Sequence, residues 1–464
     1  MLTVIQNFLR DRKILLQISL LVAVLLLALI FTPGSWLTVR VHCQNTDCAL
    51  IHPRGGMQFE FSRDVDEKSV EQAWQVEPER TGHWVWQDAR HATWFTLSPF
   101  ASGQEVRMRF QPGAIGQNGE RLRQEQTWQA VVRQPQIIAL QSIEEGGQEL
   151  VVFGTDESQP VTRLTHTNGK LVSFAPSPDG ERILLVVENE SNGMDLWMVR
   201  RNGSDQHKVL DCASDRCSTP VWSPASEEVA YTREKGGVAT NAPIGVPRIW
   251  VLDLGSGKTD ALFTDEQKTG YGPEWSPDGQ WISIWNSSLG GIEVVDRTSE
   301  EIIFLKSSNG DSGCWSADSQ RLFYSDLVLD EEYFHNAVLQ ANLTDETVQT
   351  ILGRAVTGEK SIGYDNPKCH PTEDRLAVSV QPNFKITGRK LEFFQVQEGE
   401  SSEIMNNLSK FPNSYSWAPD GGLFLFQLTI VGGQEADQET WVWEEANAQA
   451  RLVRRGVKLP TWLP

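Results

Sequence analysis

A short turn motif that recurs along the last two-thirds of the chain most constrains its fold. In its fullest form the motif runs from Gly272 to Trp285, where apolar residues flank a Ser-Pro-Asp-Gly turn at 276–279. Proline presets φ, aspartate bonds to its own backbone, and glycine supplies the positive φ that ends a tight turn. The segment is therefore predicted to form a β-hairpin.

The motif repeats at a nearly constant spacing. Complete or partial copies lie at Pro176, Trp222, Trp315, Cys369 and Trp417, and a half-copy lies at Trp462. The 286 residues from Pro176 to Trp462 span six intervals, which gives a mean period of about 48 residues. That period fits a four-stranded propeller blade and is too long for an ankyrin or leucine-rich repeat.

Residues 136–464 resemble the TolB-like, WD-type β-propellers, whose blades carry Pro-x-Trp-Ser-Pro-Asp-Gly. The copy at Trp275 matches the pattern fully, the copy at Trp222 loses its Asp-Gly, and the copies at Trp315 and His370 are eroded. The resemblance implies an all-β propeller. We assign His370 to the Trp position of its repeat and expect it to be a packed core residue.

The two ends of this region are expected to share one blade. Residues 136–167 supply three strands with no motif before them, and Val457–Pro464 supply the missing inner strand. This arrangement predicts seven blades, with the ring closed by the C-terminal strand. If residues 136–167 are a linker instead, the count is six.

A separate β-sandwich domain is predicted for residues 37–133. Met57–Ser62 alternates strictly between apolar and polar residues, and further short strands follow at similar spacing. The domain resembles the bacterial Ig-like domain of the SbsA type through Phe59–Asp66, Leu97–Val106 and Gly113–Gly119. The resemblance implies a spacer or an adhesive module, and we favour a stalk.

An apolar run near the start of the chain predicts a membrane anchor. Ile14–Phe31 is interrupted only by Gln17 and Ser19, and basic residues precede it. This length nearly spans a bilayer core, and the positive-inside rule places residues 1–13 in the cytoplasm. We therefore expect a transmembrane helix at 14–32, with all later residues outside the cytoplasm. A cleaved signal peptide is the alternative.

Six cysteines fit an exported chain. Four residues separate the cysteines in each of two close pairs, Cys43 with Cys48 and Cys212 with Cys217, and both pairs are expected to form disulfides. Cys314 and Cys369 stand in consecutive repeats, which suggests a bond between blades. Two buried free thiols are the alternative. The spacing does not fit a zinc site, and no other metal-binding cluster or cofactor motif is evident.

The charge balance limits the possible partners. The 464 residues carry a formal net charge of −20, which repels phosphate backbones. Nucleic acid is therefore excluded as a partner. Contact with a membrane is expected only through the N-terminal helix.

Sequence motifs for catalysis are scarce. Gly310–Gly313 reads Gly-Asp-Ser-Gly, but it lies in a loop before a repeat and is interpreted as a turn. The chain has no Gly-x-Ser-x-Gly elbow. We therefore expect a non-catalytic scaffold of the cell envelope. The alternatives are a ligand or glycan sensor and a propeller-type hydrolase.

Long connections predict a binding face. The connection between the second and third strands is long at 233–247, 327–336, 381–389 and 432–439, whereas the motif hairpins stay short. Binding residues often lie on such loops. The apolar residues there that we expect to contact a protein partner are Ile244, Tyr333, Phe334 and Phe384. The alternative is that these loops only pack on the rim of the propeller. The oligomeric state is not indicated by the sequence.

Overall fold

The computed structural model of the chain describes residues 36–42, 49–237, 244–330, 333–353, 363–383, 386, 388–430 and 437–464. These residues form two compact units. The smaller unit runs to Ile51 and includes Gly55–Ser98 and Glu105–Val131. The larger unit comprises His52–Arg54, Pro99–Gln104 and Val132–Pro464.

The smaller unit contains two four-stranded sheets and one short helix. The sheet orders are β1-β3-β6-β5 and β2-β8-β7-β4. The elements are β1 (Val39–His42), β2 (Leu50–Ile51), β3 (Gly55–Phe61), α1 (Glu67–Ala73), β4 (Trp74–Glu77), β5 (Gly82–Trp86), β6 (His91–Thr96), β7 (Glu105–Phe110) and β8 (Gln126–Val132).

An aromatic core joins the two sheets of the smaller unit. Phe59 on β3 lies with its ring centroid 5.0 Å from that of Trp74 on β4 and 5.3 Å from that of Phe110 on β7. The alternation of β3 directs Phe59 and Phe61 inward, since both are 1% exposed. The unit is therefore a sandwich with its core between the sheets.

The larger unit is built from antiparallel sheets whose strands follow chain order. The first strands are β9 (Gln136–Ser142), β10 (Gln148–Phe153), β11 (Thr162–Arg163), β12 (Leu171–Pro176), β13 (Arg182–Glu188), β14 (Met194–Arg200), β15 (His207–Leu210), β16 (Arg216–Trp222), β17 (Glu228–Glu234), β18 (Arg248–Asp253) and β19 (Thr259–Ala261). Strands β12 to β19 form one eight-stranded sheet, in which a single parallel bridge joins Met194 to Arg216.

Four further sheets follow in the same pattern. Their strands are β20 (Tyr271–Trp275), β21 (Trp281–Asn286), β22 (Gly291–Asp296), β23 (Ile302–Lys306), β24 (Cys314–Trp315), β25 (Arg321–Asp330), β26 (Tyr333–Asn342), β27 (Thr347–Leu352), β28 (Gly363–Cys369), β29 (Arg375–Gln381), β30 (Lys390–Gln395), β31 (Glu400–Met405), β32 (Lys410–Trp417), β33 (Leu423–Ile430), β34 (Glu439–Glu444) and β35 (Gln449–Arg455). The last strand, β36 (Lys458–Leu463), joins β9, β10 and β11 in what we call the closing sheet.

The motif turns form hairpins. Ser276 N donates to the Trp281 carbonyl at 2.9 Å, and Gly279 adopts a φ of 75°. In the eroded copies, Ser226 and Ser319 occupy the glycine position with φ values of 60° and 61°. The turn geometry therefore survives the loss of glycine, although an L-residue there is strained.

The closing sheet packs between the first and last sheets of the series. One of its faces contributes Ile138 and Leu140 to a buried cluster with Ile183 on β13. Its other face packs Ile137 and Ala139 against β33 and β34. Because each remaining sheet shares a buried cluster with the next, the sheets form a closed ring.

A tryptophan at the end of the inner strand fastens several of the sheets to the one before. Its indole N–H donates to a backbone carbonyl on the preceding inner strand, at 2.9 to 3.3 Å. These pairs are Trp222 to Ala175, Trp275 to Val221, Trp417 to Lys368 and Trp462 to Ser416. The bond satisfies a polar group that burial would otherwise leave unpaired.

A disulfide replaces this bond at one position. His370 N donates to the Arg375 carbonyl, as Ser276 N does to the Trp281 carbonyl, so Cys369 and not His370 occupies the Trp position. The sequence-based assignment of the Trp position to His370 is therefore one residue too late, because this copy of the motif keeps only its proline. Cys369 bonds to Cys314, whose Cα lies 5.7 Å away on the preceding inner strand.

The second disulfide joins Cys212 to Cys217, as predicted, with a Cα–Cα distance of 6.3 Å. Cys43 and Cys48 lie outside the described residues, as do residues 1–13 and the apolar run at 14–32. Within the described ranges, no helix is long and apolar enough to cross a bilayer.

Replacing Trp462 by Ala is expected to lower the free energy of unfolding by about 3 to 5 kcal/mol, because a large side chain only 3% exposed is removed from the closing sheet. Leu459→Ala on the same strand is the control, since Leu459 is 50% exposed. Urea denaturation of the full chain measures both. Equal losses in the two variants would contradict the closure.

Replacing Cys314 and Cys369 together by Ser is expected to cost about 4 kcal/mol, since the bond closes a loop with a sequence separation of 55. The matched double variant at Cys212 and Cys217, with a separation of 5, should cost about 2 kcal/mol. Unfolding under non-reducing conditions measures the two losses. A larger loss for the short loop would refute this ranking.

Candidate functional site

Five of the inner strands, β12, β16, β20, β32 and β36, line a cavity of about 510 Å³. Its walls include Ala175 on β12, Val221 on β16, Glu274 on β20 and Thr461 on β36. A volume of this size is typical of small-ligand sites, which span about 300 to 1,000 Å³. We call this space the central cavity.

The position of a residue within the motif determines whether its side chain faces the central cavity. Side chains alternate along a strand, so the tryptophan packs sideways and the residue before it faces the axis. Trp275 is accordingly buried, at 9% exposure, whereas Glu274 reaches the water of the cavity. The residues at the equivalent positions are Ala175, Val221, Cys314, Lys368, Ser416 and Thr461.

Glu274 is the titratable group of greatest interest in this cavity. Its pKa rises from 4.5 to about 7, chiefly because the surrounding strands shield the carboxyl from bulk water. The Asp311 carboxylate raises the pKa further, and the Lys368 ammonium opposes the rise. The Glu274 side chain is itself exposed, so cavity water reaches the carboxyl. Glu274 is therefore poised to exchange a proton near neutral pH.

Neighbouring polar groups are held by the protein itself. Arg389 forms an ion pair with Asp365, and the Tyr415 hydroxyl donates to the Asn366 carbonyl at 2.6 Å. Burial raises the pKa of Tyr415 well above its ordinary value. No hydrogen bond from another described residue engages the Glu274 carboxylate, which leaves it open to a ligand.

The Gly-Asp-Ser-Gly segment forms a turn, as the sequence suggested. The Ser312 hydroxyl donates to the Gly272 carbonyl, and Gly313 N donates to the Asp311 carboxylate at 2.5 Å. Gly310 and Gly313 have positive φ values of 74° and 80°. Ser312 is 8% exposed and its proton is already donated, so its role is structural.

His370 is a buried structural residue. Its Nδ1 accepts from Glu373 N at 3.0 Å, which leaves the hydrogen on Nε2 to face the Gly421 carbonyl. Its ring packs edge-on against Trp417 with centroids 4.5 Å apart. Burial lowers the pKa of His370, so the neutral form prevails.

The structure describes the side chains of only two of the four residues predicted to contact a protein partner, and both are exposed. Ile244 is 41% exposed ahead of β18, and Phe334 is 59% exposed on β26. Tyr333 begins β26, but its side chain lies outside the described residues, as does Phe384 as a whole.

The predicted loop at 327–336 is largely a hairpin. Strands β25 and β26 extend through it, with Leu327 opposite Asn336 and Leu329 opposite Phe334. The strands extend this far for two reasons. Continued pairing provides hydrogen-bond partners for backbone groups that would otherwise bond to water in a loop. In addition, the run from 321 to 329 is rich in strand-forming residues.

Sequence reasoning did not single out Glu274 or Lys368. The available signal was their place before the Trp position, which points a side chain toward the axis. Among the residues that the structure describes, no group of three His, Cys, Asp or Glu side chains is placed to hold a metal ion.

No protein-family model matches the chain. An uncharacterized protein of Agrobacterium fabrum is 31% identical over 120 residues, which cover 25% of this chain and 40% of that protein. The uncharacterized peptidase YuxL of Bacillus subtilis is 23% identical over 168 residues, which cover 30% of this chain and 25% of the peptidase. The chain thus spans less than half the length of these curated relatives.

The solved structures that this chain resembles are TolB-like and other β-propeller proteins. The propeller domain of the Trilobed protease from Pyrococcus furiosus shows 15% identity and a TM-score of 0.46, covering 62% of this chain and 85% of that one. TolB from Acinetobacter baumannii shows 16% identity and a TM-score of 0.41, covering 72% and 82%. A puromycin-hydrolyzing peptidase of Mycobacterium tuberculosis shows 14% identity and a TM-score of 0.47, covering 77% and 53%.

The expectation that the protein is not an enzyme is corrected by the Bacillus relative, which is named a peptidase. The expectation was based on the absence of nucleophile motifs. Such an absence is informative only about hydrolases that carry their nucleophile in the same segment.

Glu274 should make the unfolding free energy depend on pH. Its folded pKa of about 7 exceeds the ordinary value of 4.5, so the folded state holds more protons than the unfolded state between these values. Raising the pH through this window therefore destabilises the parent, and the loss is complete above pH 7. Glu274→Gln does not titrate, so its stability relative to the parent should rise from pH 5 to pH 8.

Urea denaturation at pH 5, 6, 7 and 8 measures this difference. Glu398→Gln is the matched control, because Glu398 is exposed on the turn between β30 and β31. Its difference from the parent should stay flat. A flat difference for Glu274→Gln as well would refute the raised pKa.

Proposed function

We propose that this chain serves as a propeller-type hydrolase, that a peptide segment enters the central cavity, and that Glu274 exchanges a proton there. The observation that carries the proposal is the Glu274 carboxyl, which faces a cavity of about 510 Å³ without an internal hydrogen-bond partner among the described residues. The peptide class is supported by the name of the Bacillus relative.

The proposed chemistry is general base catalysis. As a carboxylate, Glu274 accepts a proton from water while the water oxygen bonds to the peptide carbonyl carbon. The proton then passes to the nitrogen as the C–N bond breaks, which regenerates the carboxylate. A pKa of about 7 suits both transfers at neutral pH. Lys368 is close enough to lower the pKa of the Glu274 carboxyl, and its positive charge favours the developing anion.

We further propose that the ring has seven blades. The eight-stranded sheet, joined by the single bridge between Met194 and Arg216, then counts as two blades. The SbsA-type Ig-like identity of the smaller unit is also a proposal, supported by its sandwich of two sheets.

The location outside the cytoplasm is a proposal supported by two disulfides. Cys212–Cys217 and Cys314–Cys369 are bonded, and such bonds persist mainly in oxidising compartments. With the apolar run at 14–32 as an anchor, the chain would be attached to the cell membrane with its C-terminal domains in the envelope.

Docking to an envelope protein is a second candidate function, compatible with catalysis. The hairpin β25–β26 exposes Leu327, Leu329 and Phe334 at 43%, 63% and 59%. Leu329 and Phe334 are opposite each other across the hairpin, so they form one apolar patch. Such patches often mark protein contacts.

Hydrolysis of an internally quenched peptide library by the full chain tests the main proposal. Glu274→Gln should lower kcat/KM by about 100-fold or more, the range for loss of a general base. Glu227→Gln, exposed at a motif turn, is the matched control and should retain parent activity. The parent rate should rise with pH around 7. Absence of hydrolysis by the parent, or equal rates in parent and Glu274→Gln, would contradict the proposal.

A further inference from the structure

A second cavity lies at the opposite end of the sheets from the motif hairpins. Its volume is about 430 Å³. It is bounded by the connection from β11 to β12, the turn between β13 and β14, and the side chains of Trp197 and Lys208. Because it lies where the closing sheet meets the next sheet, we call it the seam cavity.

A buried carboxylate shapes one wall of the seam cavity. Glu149 is 0% exposed and accepts from Thr165 Oγ1 at 2.6 Å, Thr167 N at 2.7 Å and Gly169 N at 3.2 Å. These bonds fix the wall residue Asn168 in a left-handed conformation with a φ of 55°. This wall is therefore formed before any ligand arrives.

A second buried carboxylate shapes the opposite wall. Asp195 is 1% exposed and accepts from Cys212 N and Asn189 Nδ2, each at 2.9 Å, and from Lys208 Nζ at 2.8 Å. The Cys212–Cys217 disulfide holds the segment that donates the first of these bonds. Binding sites gain affinity from such fixed walls, because less ordering is needed on binding.

Polar groups along the walls are left for a ligand. The exposed side chains of Lys170, Glu188 and Glu190 line the cavity and form no hydrogen bond within the described part of the chain. The Thr167 hydroxyl is buried beside them, at 8% residue exposure, and likewise lacks a partner among the described residues. The seam cavity thus offers both donors and acceptors to a ligand.

The charged side chains that line the seam cavity limit the chemical class of ligand that it can bind. Four carboxylates, those of Glu188, Glu190, Asp195 and Asp211, face two ammonium groups, those of Lys170 and Lys208. This balance disfavours a phosphorylated or otherwise anionic ligand. The Lys208 ammonium lies 5.9 Å from the Trp197 ring centroid. It therefore already occupies the position beside the ring to which a cationic ligand would be attracted.

We propose that the seam cavity binds a neutral saccharide. Hydroxyl groups both donate and accept, so one sugar ring can bond to the ammonium of Lys170 and to the carboxylates of Glu188 and Glu190 together. This site is separate from the central cavity and does not depend on the hydrolase proposal.

Calorimetric titration of the full chain with neutral trisaccharides tests the proposal. Cellotriose, maltotriose and N,N′,N″-triacetylchitotriose are the probes, and at least one should bind. Glu188→Gln and Lys170→Ala should each weaken that binding by about 3- to 30-fold, the loss for one hydrogen bond to a charged group. Glu398→Gln, an exposed change in another sheet, should bind as the parent does.

The competing chemistries form the remaining arms of the test. Spermidine and tripolyphosphate are titrated under the same conditions. Failure of all three sugars to bind at 10 mM would overturn the proposal, and binding of spermidine or tripolyphosphate in their place would identify the competing ligand class. Sugar binding that is unchanged in both cavity variants would overturn it too, because the sugar would then lie elsewhere. Since both substituted residues are exposed, loss of folding is not expected, and the melting temperature checks this.

Discussion

The ring depends on one hydrogen bond between neighbouring inner strands. In this bond, the indole N–H of the tryptophan at the Trp position donates to the backbone carbonyl of the residue that precedes the Trp position on the previous inner strand. Each sheet buries its faces against its neighbours, so an open series would leave two apolar faces in water. The Trp462 bond to Ser416 removes that problem by seating β36 beside β32 while β36 pairs with β9. Where Cys369 replaces the tryptophan, the disulfide to Cys314 links the same two strand positions covalently.

The same register sets the chemistry of the centre. A tryptophan that faces sideways obliges the residue before it to face the axis, so Glu274 is directed into the central cavity, and Lys368 occupies the equivalent position on β28. Enclosure by the strands then raises the Glu274 pKa, because a charged carboxylate loses more hydration than a neutral carboxyl. Closure of the ring and the raised pKa of Glu274 thus follow from one packing rule. The seam cavity is different, since it depends on two buried carboxylates, Glu149 and Asp195, that hold connections between strands.

Local features could be predicted from the sequence and long-range ones mostly could not. The Ser-Pro-Asp-Gly turns determine their own hairpins, and the bonds Cys212–Cys217 and Cys314–Cys369 follow from spacing and repeat position. The assignment of His370 was wrong because an eroded repeat has no internal marker of register. The pKa of Glu274 and the wall held by Glu149 depend on strands distant in sequence. The expectation that the protein is not an enzyme was wrong because it was based only on the absence of nucleophile motifs from the sequence.

Hydrogen exchange of the segment 457–464 tests the closed ring most directly. If β36 is the inner strand of the closing sheet, its paired amides exchange only when the ring opens, and they should be as slow as those of β9 and β10. Mass spectrometry of peptic fragments from the full chain at neutral pH measures this. Exchange of 457–464 within seconds, while β9 stays protected, would contradict the account.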